Sequence, residues 1–251
     1  MFNTYCYVRR SLTVVLLILI WQPLWAADVA SLLKAADAFR LSGDEVRVET
    51  AIRLFKSGEL DKERTYTVYL KPGRRSLVLF RSPSEVGQKM LMLDDKFWIV
   101  MPKSRRPIRI TPTQKLLGEA SSGDIATLTW SEDYTGVIKG KTVVNEIPCL
   151  ILKLESARAG VTYHGIELYL AEDDHRPVKA DLYVASGKLA KVAHFKMGDL
   201  NGRHQVVSMT LTDHIQTGRV TEVHYTAMAQ QMIPDKVYNP AYLVRNDLTE
   251  L

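Results

Sequence analysis

From Val46 to Gln230 the chain repeats one device, a short apolar-rich run followed by a turn. Val46, Val48, Thr50, Ile52 and Leu54 fall on every second position, with Arg47, Glu49 and Arg53 between them. Period two marks a strand with one face buried. Ser57-Gly58 leads into a second run around Tyr66, Val68 and Leu70, and Pro72-Gly73 into a third at 77–80. Further runs lie at 134–144, 148–155, 163–170, 178–185, 189–197, 204–215 and 220–230. Pairs such as Asn145-Glu146, Ala159-Gly160, Asp173-Asp174, Ser186-Gly187, Asn201-Gly202 and Thr217-Gly218 separate them and favour tight turns. About eleven or twelve strands joined this way cannot stay flat, because twist accumulates from strand to strand. The expected fold is mainly β with a few helices (α+β), a curved antiparallel half-barrel of about eleven strands closed by lid helices. Neither a linker nor an internal repeat divides it, so residues 27–251 are expected to form one domain.

One amphipathic helix precedes the strands. Leu32, Leu33, Ala36 and Phe39 share a face, Asp28 or Ser31 can cap it, and Ser42-Gly43 can stop it. The stretches 113–120 and 123–130 read as two more short helices. Met90-Leu91-Met92-Leu93, Asp94-Asp95-Lys96 and Phe97-Trp98-Ile99-Val100-Met101 read as a hairpin around a polar turn. This hairpin does not alternate. Both of its faces are apolar, whereas an antiparallel sheet commonly leaves one face to water. Either it packs as core beneath the helices or it forms one wall of an apolar cavity, for which adaptable Met side chains are suited. Lys103, Arg105, Arg106 and Arg109 follow, interleaved with Pro102, Pro107 and Pro112. Proline at that density restricts the segment to an edge strand or a loop. Its charges either guard a sheet edge or meet lipid headgroups or an acidic partner protein.

The N-terminus carries an address. Arg9-Arg10, an apolar run from Leu12 to Trp21, Pro23, and then Ala26-Ala27 follow the order of a secretory signal, expected at residues 1–26. The run is about ten residues, roughly half of what a membrane-spanning helix needs. An uncleaved anchor is the alternative. Removal takes away Cys6 and two of the charges in the formal net charge of +5. Cys149 then stands alone in an apolar run and reads as a buried structural thiol. The weak positive balance gives no case for nucleic acid.

Catalytic patterns are absent: the sequence has no G-x-S-x-G, H-E-x-x-H, phosphate-cradling glycine loop or dinucleotide fingerprint. His194, His204, His214 and His224 are evenly spaced, which invites a metal reading. Matching the apolar faces of the last two strands puts Thr210, Thr212, His214, Glu222 and His224 on one polar face, which reads as solvated surface. Asp94-Asp95 and Asp173-Asp174 read as turn residues. An enzyme on this fold would have Tyr163 and His164 as its first candidates.

The run Phe80-Arg81-Ser82-Pro83, Gly87, Met90 to Leu93, Asp94-Asp95, Trp98-Ile99-Val100-Met101-Pro102 and Arg105-Arg106 resembles the periplasmic outer membrane lipoprotein-sorting protein family. So does the ending, where the strand at 221–230 leads to Ile233-Pro234-Asp235 and a last segment at 238–243. That family is similar to the LolA/LolB lipoprotein carriers. The resemblance implies a half-barrel closed by helices around an apolar cavity for acyl chains. It implies a periplasmic carrier of lipids or lipoproteins, soluble after cleavage and without a cofactor or metal. It also implies partnership with an inner-membrane exporter of the resistance-nodulation-division type and transient membrane-surface contact. In that reading Leu91, Leu93, Trp98, Val100 and Met101 line the cavity with Phe39 on the lid, and Lys103, Arg105, Arg106 and Arg109 touch a partner or headgroups. The alternatives are a non-catalytic periplasmic adaptor of a lipid exporter, or an enzyme on the same fold acting on a small hydrophobic substrate.

Overall fold

The computed structural model describes residues 24–41, 45–117, 120–126 and 129–248. Most of the expected signal, at 1–23, and the expected helix stop at Ser42-Gly43 lie outside the described residues. The first helix, α1, runs over Leu24–Ala38. Asp28 and Ser31 therefore sit inside it and are not its caps. Val29, Leu32, Leu33 and Ala36 are buried along one side. Among the described residues no helix is long and apolar enough to cross a membrane.

Two meanders follow. The first consists of β1 (Val46–Lys56), β2 (Glu59–Lys71), β3 (Arg75–Phe80), β4 (Lys89–Leu93), β5 (Lys96–Val100) and β6 (Ile108–Ile110). The second consists of β9 (Tyr134–Val144), β10 (Ile147–Ser156), β11 (Gly165–Ala171), β12 (Pro177–Tyr183), β13 (Leu189–Leu200), β14 (Arg203–Asp213) and β15 (Arg219–Gln230). Pairing of β1 with β15 joins them into one open, curved sheet of thirteen antiparallel strands, with β6 and β9 at its edges. All twelve runs read from the sequence are strands. The thirteenth, β6, is the proline-flanked basic segment, which lies at an edge as its missing N–H groups require.

Between the meanders, among the described residues, the first of the two expected helices is absent and the second is present in part. A small hairpin, β7 (Lys115–Leu117) with β8 (Ala120–Ser121), replaces the first, and the second shrinks to α2 (Ser122–Ala126). A local capping exchange sets the start of α2. The Ser121 hydroxyl accepts from Asp124 N at 3.3 Å, while the Asp124 carboxylate accepts from Ser121 N at 2.8 Å. Gly123 is required here. A Cβ at this position would lie 1.7 Å from Thr162 Oγ1. Gly123→Ala is expected to push α2 off the 160–163 segment and lower the urea midpoint by the equivalent of about 1–3 kcal/mol, the usual cost of overpacking. An unchanged midpoint would mean that α2 is not held in place.

The sheet carries a core on each face. The inner core takes Val46, Val48 and Ile52 from β1, Tyr66 and Val68 from β2, and Leu152, Leu168, Leu211 and Val223 from the second meander, beneath α1 and α2. The outer core is smaller. Tyr69, Leu77, Leu79, Leu91 and Val100 pack there against Ile233, Val237, Tyr238, Leu243 and Leu248 of the C-terminal segment. That segment forms a 3-10 turn at Asp235–Tyr238 and the helix α3 at Pro240–Arg245. Asn239 caps α3 by accepting from Ala241 N at 2.9 Å, and Pro240 at its first position needs no donor.

Candidate functional site

The two-sided hairpin divides between these cores. Met90, Met92 and Phe97 point inward, with Ile99 packed beside them. Leu91, Leu93, Trp98 and Val100 point outward under the C-terminal segment. Of the residues read as cavity lining, these four lie on the face away from α1, Met101 is 38 % exposed at the sheet edge, and Phe39 packs on the inner core. The sheet does not bring Phe39 together with the other five. Strand parity carries this result: Val78, Met90 and Ile99 are register partners, as are Leu77, Leu91 and Trp98.

The inner face holds the cavity. It lies between β11–β14 and the cover made by α2 and the 129–134 segment, and Ile166, Leu182, Phe195 and Met209 form its apolar floor. Its volume is about 60 Å³. Small-molecule sites run to roughly 300–1,000 Å³, so this cavity is small and the cover is closed on the sheet.

Polar side chains tie the cover down. Asp124 on α2 accepts from Lys191 Nζ on β13 at 2.8 Å and from the Tyr163 hydroxyl at 2.8 Å. All three side chains are buried. Burial pushes the Asp124 carboxyl up, but Lys191 and the Ser121 bonds outweigh it and hold the group below its ordinary value. Burial first, and then the Asp124 charge, push the Tyr163 hydroxyl well up, so it stays a donor. At the other end Asp37 of α1 accepts from Trp130 N at 2.7 Å and Ser131 N at 2.8 Å. Arg74, in the β2–β3 turn, pairs with Asp133 just ahead of β9, and with Asp95 at 3.3 Å. These contacts bridge the two meanders across the open side. The sequence reading missed Asp37, Arg74, Asp124 and Lys191. Their one local signal was the Ser121–Asp124 capping pattern.

Tyr163 reaches this cavity, whereas its neighbour His164 is exposed with its Nδ1 3.3 Å from Ser156 Oγ. His224 contacts Glu222 at 2.8 Å on the polar face of the last hairpin, but His214 lies past the end of β14. Among the described residues no three His, Cys, Asp or Glu side chains gather as metal ligands would. Cys149 is buried, and burial raises its thiol pKa. Asp94-Asp95 and Asp173-Asp174 occupy turns, and each pair also meets an arginine, Arg74 and Arg176 respectively. Lys103, Arg105 and Arg106 are exposed on the loop before β6, beside Met101 and Ile108, and Arg109 lies 5.1 Å over the Trp98 ring.

An open curved sheet with short helices closed over one face is the fold of LolA-type structures, and this chain shares it. The chain is 28% identical to a LolA superfamily protein from Nitrosomonas europaea, with a TM-score of 0.79 over 87% of this chain and 99% of that one. It shares the fold of an outer membrane lipoprotein-sorting protein domain from Vibrio parahaemolyticus, at 19% identity and TM-score 0.72 over 88% and 100% of the two chains. It also shares the fold of a DUF1329 family protein from Desulfovibrio piger, at 20% identity and TM-score 0.72 over 87% and 98%. No curated protein matches the chain. A family model described as "Uncharacterized protein" matches residues 72–245, and the chain belongs to that family.

Proposed function

We propose that this protein is a non-catalytic periplasmic carrier of acyl chains, of lipids or lipoproteins, that delivers them toward the outer membrane. One observation carries the reading. Among the described residues a sheet-wide apolar inner face is covered by the part of α1 from residue 27 on, the five-residue α2 and their connections, held through a few polar ties. Such a cover can lift and leave the strands intact. Each methylene removed from water then contributes roughly 0.8 kcal/mol, enough for a long chain to offset the ties it breaks. The LolA superfamily and lipoprotein-sorting neighbours support the same reading. In this reading residues 1–26 are the export signal and 27–251 the carrier domain. An inner-membrane exporter of the resistance-nodulation-division type would supply the cargo.

The test is native mass spectrometry with lipid extraction on protein purified from the periplasm, followed by titration with a fluorescent fatty acyl probe. The expected result is an acyl lipid or lipopeptide near one per protein, or saturable uptake of the probe. Protein that carries nothing and takes up nothing would refute carriage.

Lys103, Arg105, Arg106 and Arg109 are the proposed contact with a donor or acceptor surface. Each basic side chain near an anionic membrane contributes about 1 kcal/mol. Arg105→Glu with Arg106→Glu is therefore expected to weaken binding to vesicles containing phosphatidylglycerol by at least about thirtyfold. Acyl probe affinity should stay unchanged. Unaltered vesicle binding would remove this segment from the docking surface.

A further inference from the structure

We infer that the inner cavity selects an amphiphile with one anionic head, a carboxylate or a phosphate, and that Arg40 receives that head. The inference rests on the carrier reading and names its ligand class.

Two buried cationic side chains, Arg40 and Arg74, line the cavity, and a third, Lys191, pairs with an acid that lines it. Two have carboxylates: Arg74 has Asp133, and Lys191 has Asp124. Arg40 does not. It is 5 % exposed and lines the cavity with Trp130, Tyr134 and Phe195. Its guanidinium lies 4.1 Å over the Trp130 ring and 5.8 Å from that of Phe195. Its Nε is buried without a hydrogen-bond partner. The acid one turn before it, Asp37, already accepts the Trp130 and Ser131 backbone N–H groups. The buried Tyr225 hydroxyl lies beside Arg40 and is its polar neighbour there. A guanidinium with a buried, unpartnered Nε thus lies at the polar end of a cavity whose floor is Ile166, Leu182, Phe195 and Met209.

A buried charge without a counter-ion is costly, and an incoming anion offsets that cost. The planar fork of arginine suits a carboxylate or phosphate held by two oxygens. The aromatic rings hold the fork in place before the anion arrives. With the head at Arg40, the chain lies on the apolar floor once the cover lifts.

The test compares a fluorescent polyene fatty acid with its methyl ester, lysophosphatidic acid and inorganic phosphate, all on the full mature protein. The acid and lysophosphatidic acid are expected to bind at least about tenfold tighter than the ester. Arg40→Met should abolish the difference between acid and ester, the two binding alike to that variant. Arg40→Lys, which keeps the charge without the fork, should retain part of the preference. Equal binding of acid and ester by the unaltered protein would overturn the assignment of Arg40 and leave carriage standing. So would an Arg40→Met variant that keeps the preference. Binding of none of the amphiphiles would remove carriage and this inference together. Inorganic phosphate should not displace the acid. Displacement at equal concentration would make this a free-anion site and overturn the amphiphile assignment.

Discussion

Ending the chain at Gln230 is expected to leave a protein that binds hydrophobic dyes and aggregates, because the cover of the outer core is gone. Tyr69, Leu77, Leu79, Leu91 and Val100 are buried chiefly against residues 233–248. Removing that segment presents a contiguous apolar patch on one side of the sheet. The milder form of the experiment is Leu243→Ala. Leu243 is fully buried, and truncation at such sites costs about 2–5 kcal/mol through lost transfer energy and the cavity left behind. Against a total stability of about 5–15 kcal/mol this is a large fraction. The urea midpoint should fall accordingly. Acyl probe affinity should not, since the inner face is across the sheet. Lys71 provides a polar counterpart, donating to Ile233 O at 2.9 Å and pairing with Asp235 at 2.8 Å. A Leu243→Ala protein with wild-type stability would show that the C-terminal segment is not docked.

Asp124→Ala is expected to lower stability by about 3–5 kcal/mol, the cost of breaking a buried ion pair by removing one member. It should also speed acyl probe uptake, because α2 loses its ties to Lys191 on β13 and to Tyr163. Asp124→Asn keeps an acceptor for Tyr163 and should fall between the two proteins. The same pair gives a pH dependence. The Asp124 carboxyl lies below its unfolded value of 3.8. Its contribution is therefore fully present above that value and is lost as pH falls through the folded pKa. Acid should loosen the α2 end of the cover. Asp37 has the opposite sign. Burial, the largest influence, outweighs its backbone hydrogen bonds and raises its pKa, so it takes up a proton more readily in the folded protein than in the unfolded chain. Its contribution is lost as pH rises through the folded pKa, and low pH does not release that end. Uptake rates that stay flat as pH is lowered until the protein unfolds would dissociate the Asp124–Lys191 pair from closure.

Arg40 and Asp124 had no legible signal as cavity residues. A lone arginine after an amphipathic helix is ordinary in sequence, and its missing partner is visible only when the elements around it are placed. Cys149 and the two Asp-Asp turns were legible because their character is local: an apolar run buries a thiol, and an Asp pair favours a turn. The short segments at 113–130 were misread because their helical composition was outweighed by pairing of β7 with β8, a tertiary choice.

Period-two alternation and regular turns by themselves determined the strands, their antiparallel order within each meander and the curvature of the sheet. They also required that the Met90 to Met101 stretch be covered on both faces. Which face lies under which cover was decided only by the tertiary structure. Strand parity sends alternate residues to opposite sides, but the side that receives α1 and the side that receives residues 233–248 depend on where distant segments return. The closing of β1 on β15, and the burial of Arg40 without a carboxylate, follow from that packing. Both join residues far apart in the chain, and no local pattern encodes them.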